Sequence, residues 1–327
     1  MEQLYSMRPG ATGPAVARAV INEVKKAVRG KDEIIERVML AVLAGGHVLL
    51  EDMPGVGKTT LALAFSKAMQ LSHKRIQFTP DVMPSDVTGY TIYQKQAERF
   101  VFVPGAVMCN LLLADEINRT SSKTQAALLQ VMEEGCVTVE QKTYRCPAPF
   151  TVIATQNPYG YAGTQLLPES QLDRFLMRLS MGYPDENSEI SMLRTKIAGN
   201  EPAIEPVADE KSVTAMQAAV NAVFVHDDVL RYITRLSSAT RNNSMISLGA
   251  SPRGSIALMR TAKAQAFLAG RNYVVPADVT SVIEPVMCHR IVLSPKAKAS
   301  GMTERELVRR LCGSVTPPRI EQFGAGR

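Results

Sequence analysis

The sequence predicts an α/β protein in which a mostly parallel β-sheet, covered by helices on both faces, precedes a smaller all-helical domain. Before residue 184, short apolar runs alternate with stretches of helical periodicity, which is the pattern of parallel strands joined by crossover helices. After Pro184 only helical periodicity is found. The composition, with 46% hydrophobic and 21% charged residues among 327, argues against a disordered chain or a disulfide scaffold and allows a sizeable core.

Strands are predicted where short apolar runs end at turn residues or charges, and helices where apolar residues recur three and four positions apart. The predicted strands are 47–51, 75–78, 111–114 and 150–154, with a last strand next to residue 178. The predicted helices are 15–28, 31–44, 59–70, 122–134, 186–198, 213–223, 228–239, 255–269 and 277–287. We place the domain boundary at the change in pattern, so that residues 1–184 form the core and residues 185–327 form a linker and the helical domain.

The N-terminus and the charge distribution bear on location and partners. The first 13 residues lack the apolar segment of a secretory signal, and the longest uncharged apolar run, 38–46, is shorter than the ~20 residues that span a bilayer. We therefore expect a cytoplasmic protein without membrane insertion. The net charge of +6 lies mostly after residue 185. This excess indicates one of two things: a surface that binds nucleic acid weakly or binds an acidic protein, or a helix face that is merely solvated.

The segment 52–59, DMPGVGKT, follows the first predicted strand and opens a helix, which is where a phosphate-binding loop lies. Glycines let backbone N–H groups close around phosphate oxygens, Lys58 reaches the β- and γ-phosphates, and the Thr59 hydroxyl ligates Mg²⁺. The strict pattern begins with Gly where this chain has Asp52. The segment predicts a P-loop NTPase that binds ATP or ADP with Mg²⁺. The predicted nucleotide contacts are Pro54, Gly55, Val56, Gly57, Lys58, Thr59 and Thr60.

Polar residues at the ends of two later strands supply the expected catalytic groups. Asp115 and Glu116 end the apolar run 111–114. In phosphoryl-transfer ATPases a carboxylate in this place holds Mg²⁺, usually through water, and its neighbour can polarise the attacking water. Asn157 follows the next strand and is placed to orient water beside the γ-phosphate, because ligands bind at the carboxyl ends of parallel strands. Thr59 and Asp115 are therefore the predicted metal ligands.

Three arginines are candidates for contact with the γ-phosphate. Arg174 and Arg178 lie in LDRFLMR before the last predicted strand, and Arg253 lies in SPRG, which opens a helix of the second domain. Arginine suits the charge that spreads over the phosphate oxygens in the transition state and can accelerate turnover by about 10³-fold or more. Each of them, taken in isolation, is better explained by a surface ion pair.

The order of these five elements resembles AAA+ ATPases and, within them, the MoxR family, over nearly the full chain. The stretches that carry the resemblance are HVLLEDMPGVGKTTL (47–61), RIQFTPDVMPSDVTG (75–89), PGAVMCNLLLADEINR (104–119), FTVIATQNP (150–158), LPESQLDRFLMRL (167–179) and ASPRG (250–254). Asp52 looks like a variant that the family accepts. The family usually has Glu between its Asn-Pro and Gly-Thr, where this chain has YGYA (159–162), and we assign no role there.

The resemblance implies a role for each residue of the core site. Lys58 and Thr59 resemble the Walker A pair, which binds the phosphates and Mg²⁺. Asp115 and Glu116 resemble the Walker B pair, and Asn157 resembles sensor 1.

The resemblance also implies roles for the arginines and for two hairpins. Arg174 resembles the arginine finger donated to the neighbouring subunit, with Arg178 as the alternative. Arg253 resembles the sensor 2 arginine of the lid, and whether it acts on its own or the neighbouring subunit stays open. Residues 81–104 resemble a hairpin inserted within helix 2, and residues 135–149 resemble the hairpin before sensor 1. Both are candidates for contact with a client.

The function that the resemblance implies is an ATP-hydrolysing remodelling chaperone that forms a homo-oligomeric ring, expected to be a hexamer. Relatives act with von Willebrand factor A-type partners in maturing or metal-loading client proteins. The alternative is a nucleic-acid or chelatase-type AAA+ motor, against which stand the 6% aromatic content and the lack of Trp for base stacking. A scaffold that binds nucleotide but barely hydrolyses it is a third option, opposed by the presence of Glu116 and Arg174.

Overall fold

Strands and helices alternate through the first half of the chain, and helices dominate the second half. The computed structural model describes residues 13–53, 55–157, 167–199 and 202–319. The helices are α1 (Gly13–Ala27), α2 (Asp32–Leu43), α3 (Lys58–Ala68), α4 (Pro84–Thr88), α5 (Ser122–Glu134), α6 (Glu169–Leu172), α7 (Glu186–Ala198), α8 (Glu210–Ala222), α9 (Asp227–Arg241), α10 (Pro252–Leu268), α11 (Pro276–Met287), α12 (Pro295–Ala299) and α13 (Glu304–Ser314). The strands are β1 (Val48–Glu51), β2 (His73–Gln77), β3 (Gly89–Gln94), β4 (Arg99–Pro104), β5 (Leu111–Asp115), β6 (Cys136–Val139), β7 (Lys142–Arg145), β8 (Thr151–Gln156), β9 (Met177–Leu179), β10 (Ile246–Leu248) and β11 (Val292–Leu293).

The central sheet has five strands in the order β2-β5-β8-β1-β9, and every neighbouring pair is parallel. Strand β8 is buried at all of its positions because it lies between β5 and β1 with both faces covered. Since all five strands run in the same direction, their carboxyl ends meet at one end of the sheet and their amino ends at the other. These are called the carboxyl end and the amino end of the sheet below.

Helices cover both faces of this sheet, as predicted. Val48 and Leu50 of β1 belong to one apolar cluster with residues of α1, α2 and α3. Leu49 belongs to a second cluster with residues of α5. Successive residues of a strand point to opposite faces, so the two clusters are the two faces of the sheet.

The second half of the chain, from α8 onward, is called the lid here and packs directly on the core. Helix α11 contacts β9, and α10 contacts α2. The first apolar cluster continues without interruption from the sheet into α8, α9, α10 and α11. One short antiparallel pair, β10 and β11, interrupts the helices. The sequence analysis did not predict it, because two or three residues are too few to show an alternation. The division at residue 184 stays a prediction.

Two hairpins project from the core beside each other. Strands β3 and β4 pair over residues 89–104, and β6 pairs with β7. The Phe102 and Tyr144 rings stack with centroids 3.9 Å apart, which joins the two hairpins. Gly89 has a φ of +94°, and a Cβ there would lie 2.5 Å from the Val103 carbonyl oxygen, so the base of the first hairpin requires glycine. Helix α4 precedes this hairpin, but no helix follows it before β5.

None of the described helices combines the length and the apolar character needed to cross a membrane.

Candidate active site

The loop between β1 and α3 has the backbone of a phosphate-binding loop. Gly55 and Gly57 have φ angles of +88° and +95°, in the left-handed region that favours glycine. Gly57 immediately precedes α3, so the N–H groups of the first turn of that helix point out of its N-terminus beside the loop. Val56 packs partly against the first apolar cluster. Pro54, which we predicted as a nucleotide contact, lies outside the described residues.

Lys58 begins α3 and is held toward the loop. Its ammonium donates hydrogen bonds to the carbonyl oxygens of Asp52, at 3.1 Å, and Met53, at 3.2 Å. Burial lowers the pKa of Lys58, and the nearby carboxylates of Asp52, Asp115 and Glu116 oppose that change. A cation in hydrogen bonds with loop carbonyls, near three carboxylates, can transfer those bonds to phosphate oxygens when a nucleotide enters.

Asp52 stands where the strict loop pattern has Gly, and its buried carboxylate joins the loop to the segment after β9. It accepts hydrogen bonds from the Ser180 hydroxyl at 2.7 Å and from the backbone N–H groups of Met181 at 2.6 Å and Gly182 at 3.0 Å. Three donors satisfy the buried charge. The sequence analysis noted this departure from the pattern but assigned it no structural role.

The two carboxylates at the end of β5 lie beside Thr155 of β8. The Thr155 hydroxyl donates to Asp115 Oδ1 at 2.7 Å and accepts from the Glu116 N–H at 2.8 Å. Asp115 Oδ2 pairs with Arg75 at 2.7 Å. Glu116 has a φ of +56° and pairs with Arg119 at 2.6 Å. The sequence analysis missed Thr155 and Arg75, which lie across strand pairings and carry no local signal.

The donor atoms at this end of the sheet fit Mg²⁺. Asp115 is the last residue of β5, and the half-buried Thr59 lies in the first turn of α3. Both supply oxygen, which a hard cation prefers, so these two residues would hold Mg²⁺, which would supply positive charge to the phosphates of a bound nucleotide. Thr60, the next residue along α3, is exposed.

Asn157 follows β8 directly, so it belongs to the same end of the sheet. Only 9% of its surface is exposed, and its backbone carbonyl accepts a hydrogen bond from the Asn118 side chain at 3.3 Å. Gln156, the residue before it, donates to Glu51 Oε1 at 2.7 Å. The segment that the resemblance left without a role, 159–162, lies outside the described residues.

Arg174 and Arg253 share one carboxylate, although one belongs to the core and the other to the lid. Arg174 pairs with Glu133 Oε2 at 2.6 Å and donates to the Leu129 carbonyl at 3.2 Å. Arg253 pairs with Glu133 Oε1. Glu133 lies in the last turn of α5. The sequence analysis did not single it out, because one glutamate on a helix surface is unremarkable in sequence.

The two arginines lie at the amino end of the sheet. They line a cavity of about 290 Å³ together with Gly45, Gly46 and His47, the residues that lead into β1. The phosphate-binding loop leaves the opposite end of β1, and a strand of four residues spans about 13 Å. Neither arginine therefore lies at the loop of its own chain.

Arg178 lies apart from Arg174, although the two are four residues apart in sequence. Its guanidinium pairs with Glu51 Oε2 at 3.4 Å, and Glu51 ends β1 next to the loop. Arg178 and Glu51 line a separate cavity of about 380 Å³. The three candidate arginines thus divide between the two ends of the sheet.

Arg290 of the lid anchors the segment that carries Arg174. It is almost fully buried, pairs with Asp173 Oδ1 at 2.9 Å, and donates to the Phe175 carbonyl at 2.6 Å. Burial lowers the pKa of Arg290 to about 10, and Asp173 opposes that change. The Ser251 hydroxyl at the start of α10 donates to Asp173 Oδ2 at 2.6 Å. The Asp173 carboxylate thereby connects the backbone segments that carry Arg174 and Arg253.

Two family models match the chain. The model described as "ATPase family associated with various cellular activities (AAA)" matches residues 47–177. The model described as "AAA lid domain" matches residues 238–311.

Similar proteins match almost the whole chain. YeaC of Bacillus subtilis is 45% identical over 306 residues, which are 93% of this chain and 95% of YeaC. Chaperone MoxR1 of Mycobacterium tuberculosis is 38% identical, over 92% of this chain and 82% of MoxR1. Protein MoxR of Methylorubrum extorquens is 31% identical, over 84% of this chain and 86% of that protein. The crystal structure of a proposed ATPase from Cytophaga hutchinsonii has a TM-score of 0.87 and 37% identity, covering 94% of this chain and 96% of the other.

Proposed function

Because the chain belongs to the MoxR family of AAA+ ATPases and hydrolyses ATP, we propose that it works as a homo-oligomeric ring that remodels protein clients. The observation that carries this proposal is the position of Arg174 and Arg253 at the opposite end of the sheet from the loop of their own chain. A subunit whose charge-stabilising arginines face away from its own nucleotide needs a neighbour. Repetition of such a head-to-tail contact closes a ring, and the resemblance implies six subunits.

In this proposal each residue of the phosphate-binding loop and its neighbours has a distinct task. Lys58 and the loop N–H groups bind the phosphates of ATP. Thr59 and Asp115 hold Mg²⁺. Glu116 takes the proton of the attacking water after leaving its pair with Arg119, and Asn157 orients that water. The hydrogen bonds of Thr155 support this assignment, because its hydroxyl donates to the Asp115 carboxylate and accepts from the Glu116 backbone N–H, which ties the side chain of one residue to the backbone of the other.

The arginines complete the site from the adjacent subunit. Arg174 acts as the finger, and Arg253 acts beside it in trans. Their shared contact with Glu133 supports a joint action, because both guanidinium groups then face one place. Arg178 keeps a role within its own chain, next to Glu51.

The hairpin of β3 and β4 is the proposed contact with client proteins. It exposes four large apolar side chains, two on each face of the hairpin. They are Tyr90 (47% exposed), Ile92 (45%), Tyr93 (52%) and Phe100 (66%). The Phe102–Tyr144 stack joins this hairpin to β6 and β7, and β6 begins directly after α5, so one short segment of chain and one ring contact connect Glu133 with the client contact. The proposal includes a partner protein with a von Willebrand factor A domain, which acts with this chain in the maturation of client proteins or in the insertion of metal into them.

Specific ATPase activity is expected to rise with protein concentration, because a lone subunit has no arginine at its own γ-phosphate. Phosphate release should be followed over about a hundredfold range of concentration, with sedimentation velocity in ATP and in ADP on the same samples. Activity per subunit should follow the fraction of assembled protein. Full specific activity in samples that contain only monomers would contradict the ring.

Removal of the exposed hairpin aromatics is expected to weaken client binding and to leave basal ATPase activity unchanged. Tyr93→Ser and Phe100→Ser, made together, remove a pair of exposed rings whose centroids lie 5.2 Å apart on the hairpin and which are not part of the nucleotide loop. Binding of a fluorescently labelled, permanently unfolded polypeptide in the presence of ATP, measured by anisotropy, should weaken about tenfold or more.

A control should remove equally exposed apolar residues from the lid. Phe224→Ser with Leu248→Ser fits this purpose, since both side chains are more than half exposed. Equal loss of binding in the two double variants would mean that the hairpin has no special role. ATPase activity stimulated by DNA or RNA and not by polypeptide would instead favour the nucleic-acid motor.

A further inference from the structure

Glu133 joins the two arginines that the proposed function assigns to the neighbour's ATP. Its two carboxylate oxygens each bind one guanidinium, from Arg174 of the core and from Arg253 of the lid. The side chain is 43% exposed and lies at the mouth of the cavity at the amino end of the sheet. This carboxylate therefore occupies the place toward which both arginines point.

The charges around this cavity show what Glu133 balances. Four arginines line it, against two carboxylates, and one of these, Asp173, is committed to the buried Arg290. Arg260 donates to the carbonyl oxygens of residues 44 and 45. Glu133 is thus the carboxylate among the described lining residues that neutralises Arg174 and Arg253. A surface with excess positive charge and one exchangeable anion is suited to a polyphosphate.

We propose that Glu133 is an internal counter-ion that holds Arg174 and Arg253 in the unassembled subunit and is displaced by the γ-phosphate of the neighbour's ATP. This inference rests on the proposed function, in which both arginines act in trans. A phosphate group offers more oxygens and more negative charge to the two guanidinium groups than one carboxylate does. Glu133 is tethered beside them and competes at a high effective concentration. Glu133 therefore opposes the association of subunits until a nucleoside triphosphate is bound to the neighbour.

The backbones beneath the two arginines are suited to such an exchange. Asp173 binds both Arg290 and the Ser251 hydroxyl, so the segments that carry Arg174 and Arg253 are fixed to each other. The exchange then needs only side-chain movement. Glu133 is a partly exposed residue of a helix, and replacing it with glutamine removes charge but little packing.

The test compares Glu133→Gln with Glu134→Gln, which removes the same charge one position further along α5. Glu134 is exposed and accepts a hydrogen bond from Gln130 at 3.0 Å. Glu133→Gln should lower the protein concentration for half-maximal specific ATPase activity about fivefold, because it frees both arginines and removes a charge that repels phosphate. Glu134→Gln should change it less than about twofold.

A second measurement uses unassembled subunits and does not depend on the ring. In a Lys58→Ala background, which disables the chain's own phosphate loop, inorganic tripolyphosphate should bind Glu133→Gln about fivefold more tightly than the parent, by calorimetry. The gain should vanish when Arg174 and Arg253 are also replaced by alanine. A purely structural role for Glu133 would not produce that dependence.

Two results would overturn the inference. If Glu133→Gln and Glu134→Gln shift the protein concentration for half-maximal activity equally, the effect comes from net charge alone and not from the contact of Glu133 with the arginines. Weaker assembly and weaker tripolyphosphate binding in Glu133→Gln would mean that Glu133 supports the arginines during binding and does not compete with phosphate. Failure of the ring itself is seen separately, as wild-type activity independent of concentration, so the two proposals fail by different measurements.

Discussion

A mixture of Arg174→Ala and Lys58→Ala subunits is expected to regain ATPase activity that neither variant has alone. In the proposed ring, Arg174→Ala subunits keep the loop assigned to ATP binding, and Lys58→Ala subunits keep the arginine assigned to a neighbour's site. Loss of the finger should reduce turnover by about 10³-fold and leave ATP binding intact. In randomly mixed rings about a quarter of the interfaces combine an intact loop with an intact arginine, so activity should approach that fraction of the wild-type value.

Phosphate release and sedimentation should be measured on the same mixtures, with differently tagged subunits to prove that mixed rings form. Arg178→Ala is the matched control, because Arg178 lies beside Glu51 at the carboxyl end of the sheet. Arg253→Ala should behave as Arg174→Ala does if both act in trans. Rescue of Arg178→Ala but not of Arg174→Ala would move the finger to Arg178. Absence of rescue in proven mixed rings would refute the shared site.

Glu116→Gln is expected to bind ATP as tightly as the wild type and to lose turnover by about 10²- to 10⁴-fold. The amide keeps the size of the side chain but cannot accept the proton of water. Lys58→Ala should instead lose ATP binding, because it removes the ammonium that is held at the loop from the start of α3 and would bind the phosphates. The two variants therefore separate binding from chemistry.

Calorimetry with Mg²⁺ and ATP measures the affinities, and single-turnover hydrolysis measures the chemical step. Glu134→Gln serves as the control for removal of one carboxylate, since it lies at the end of α5 and outside the candidate site. Equal ATP affinity in Lys58→Ala and wild type would disprove the phosphate-loop assignment. Unchanged turnover in Glu116→Gln would transfer the general base to another group.

The sequence predicted the fold class and the elements of the core well, because their signals are local. Strands β1, β5 and β8 are largely apolar runs, whereas β2 (HKRIQ) carries one apolar residue, Ile76. The alternation of strands and helices implies a parallel sheet. The ends of the predicted helices and strands differ from the observed ones by up to three residues. The ribbon of β10 and β11, the short helices α4, α6 and α12, and helix α13 were not predicted. The strands of the ribbon are too short to show a pattern.

The phosphate-binding loop could also be predicted from the sequence. Its chemistry depends on neighbours in the chain: a strand, two glycines that adopt positive φ, and a helix that begins at Lys58. The positions of Asp115 and Asn157 followed from the same rule, since residues after parallel strands meet at one end of the sheet.

Only the tertiary structure determined the surroundings of the arginines. The resemblance ranked Arg174 before Arg178, but only the structure shows that Arg174 precedes β9 and contacts α5, whereas Arg178 lies in β9 and faces Glu51. Sequence alone allowed Arg253 to act in cis or in trans, and its pairing with Glu133 puts it at the amino end of the sheet. Local patterns specify which groups a chain carries. The carboxylate partners of these three arginines lie 40 or more residues away in the chain, and they meet the arginines only when the sheet and the lid pack.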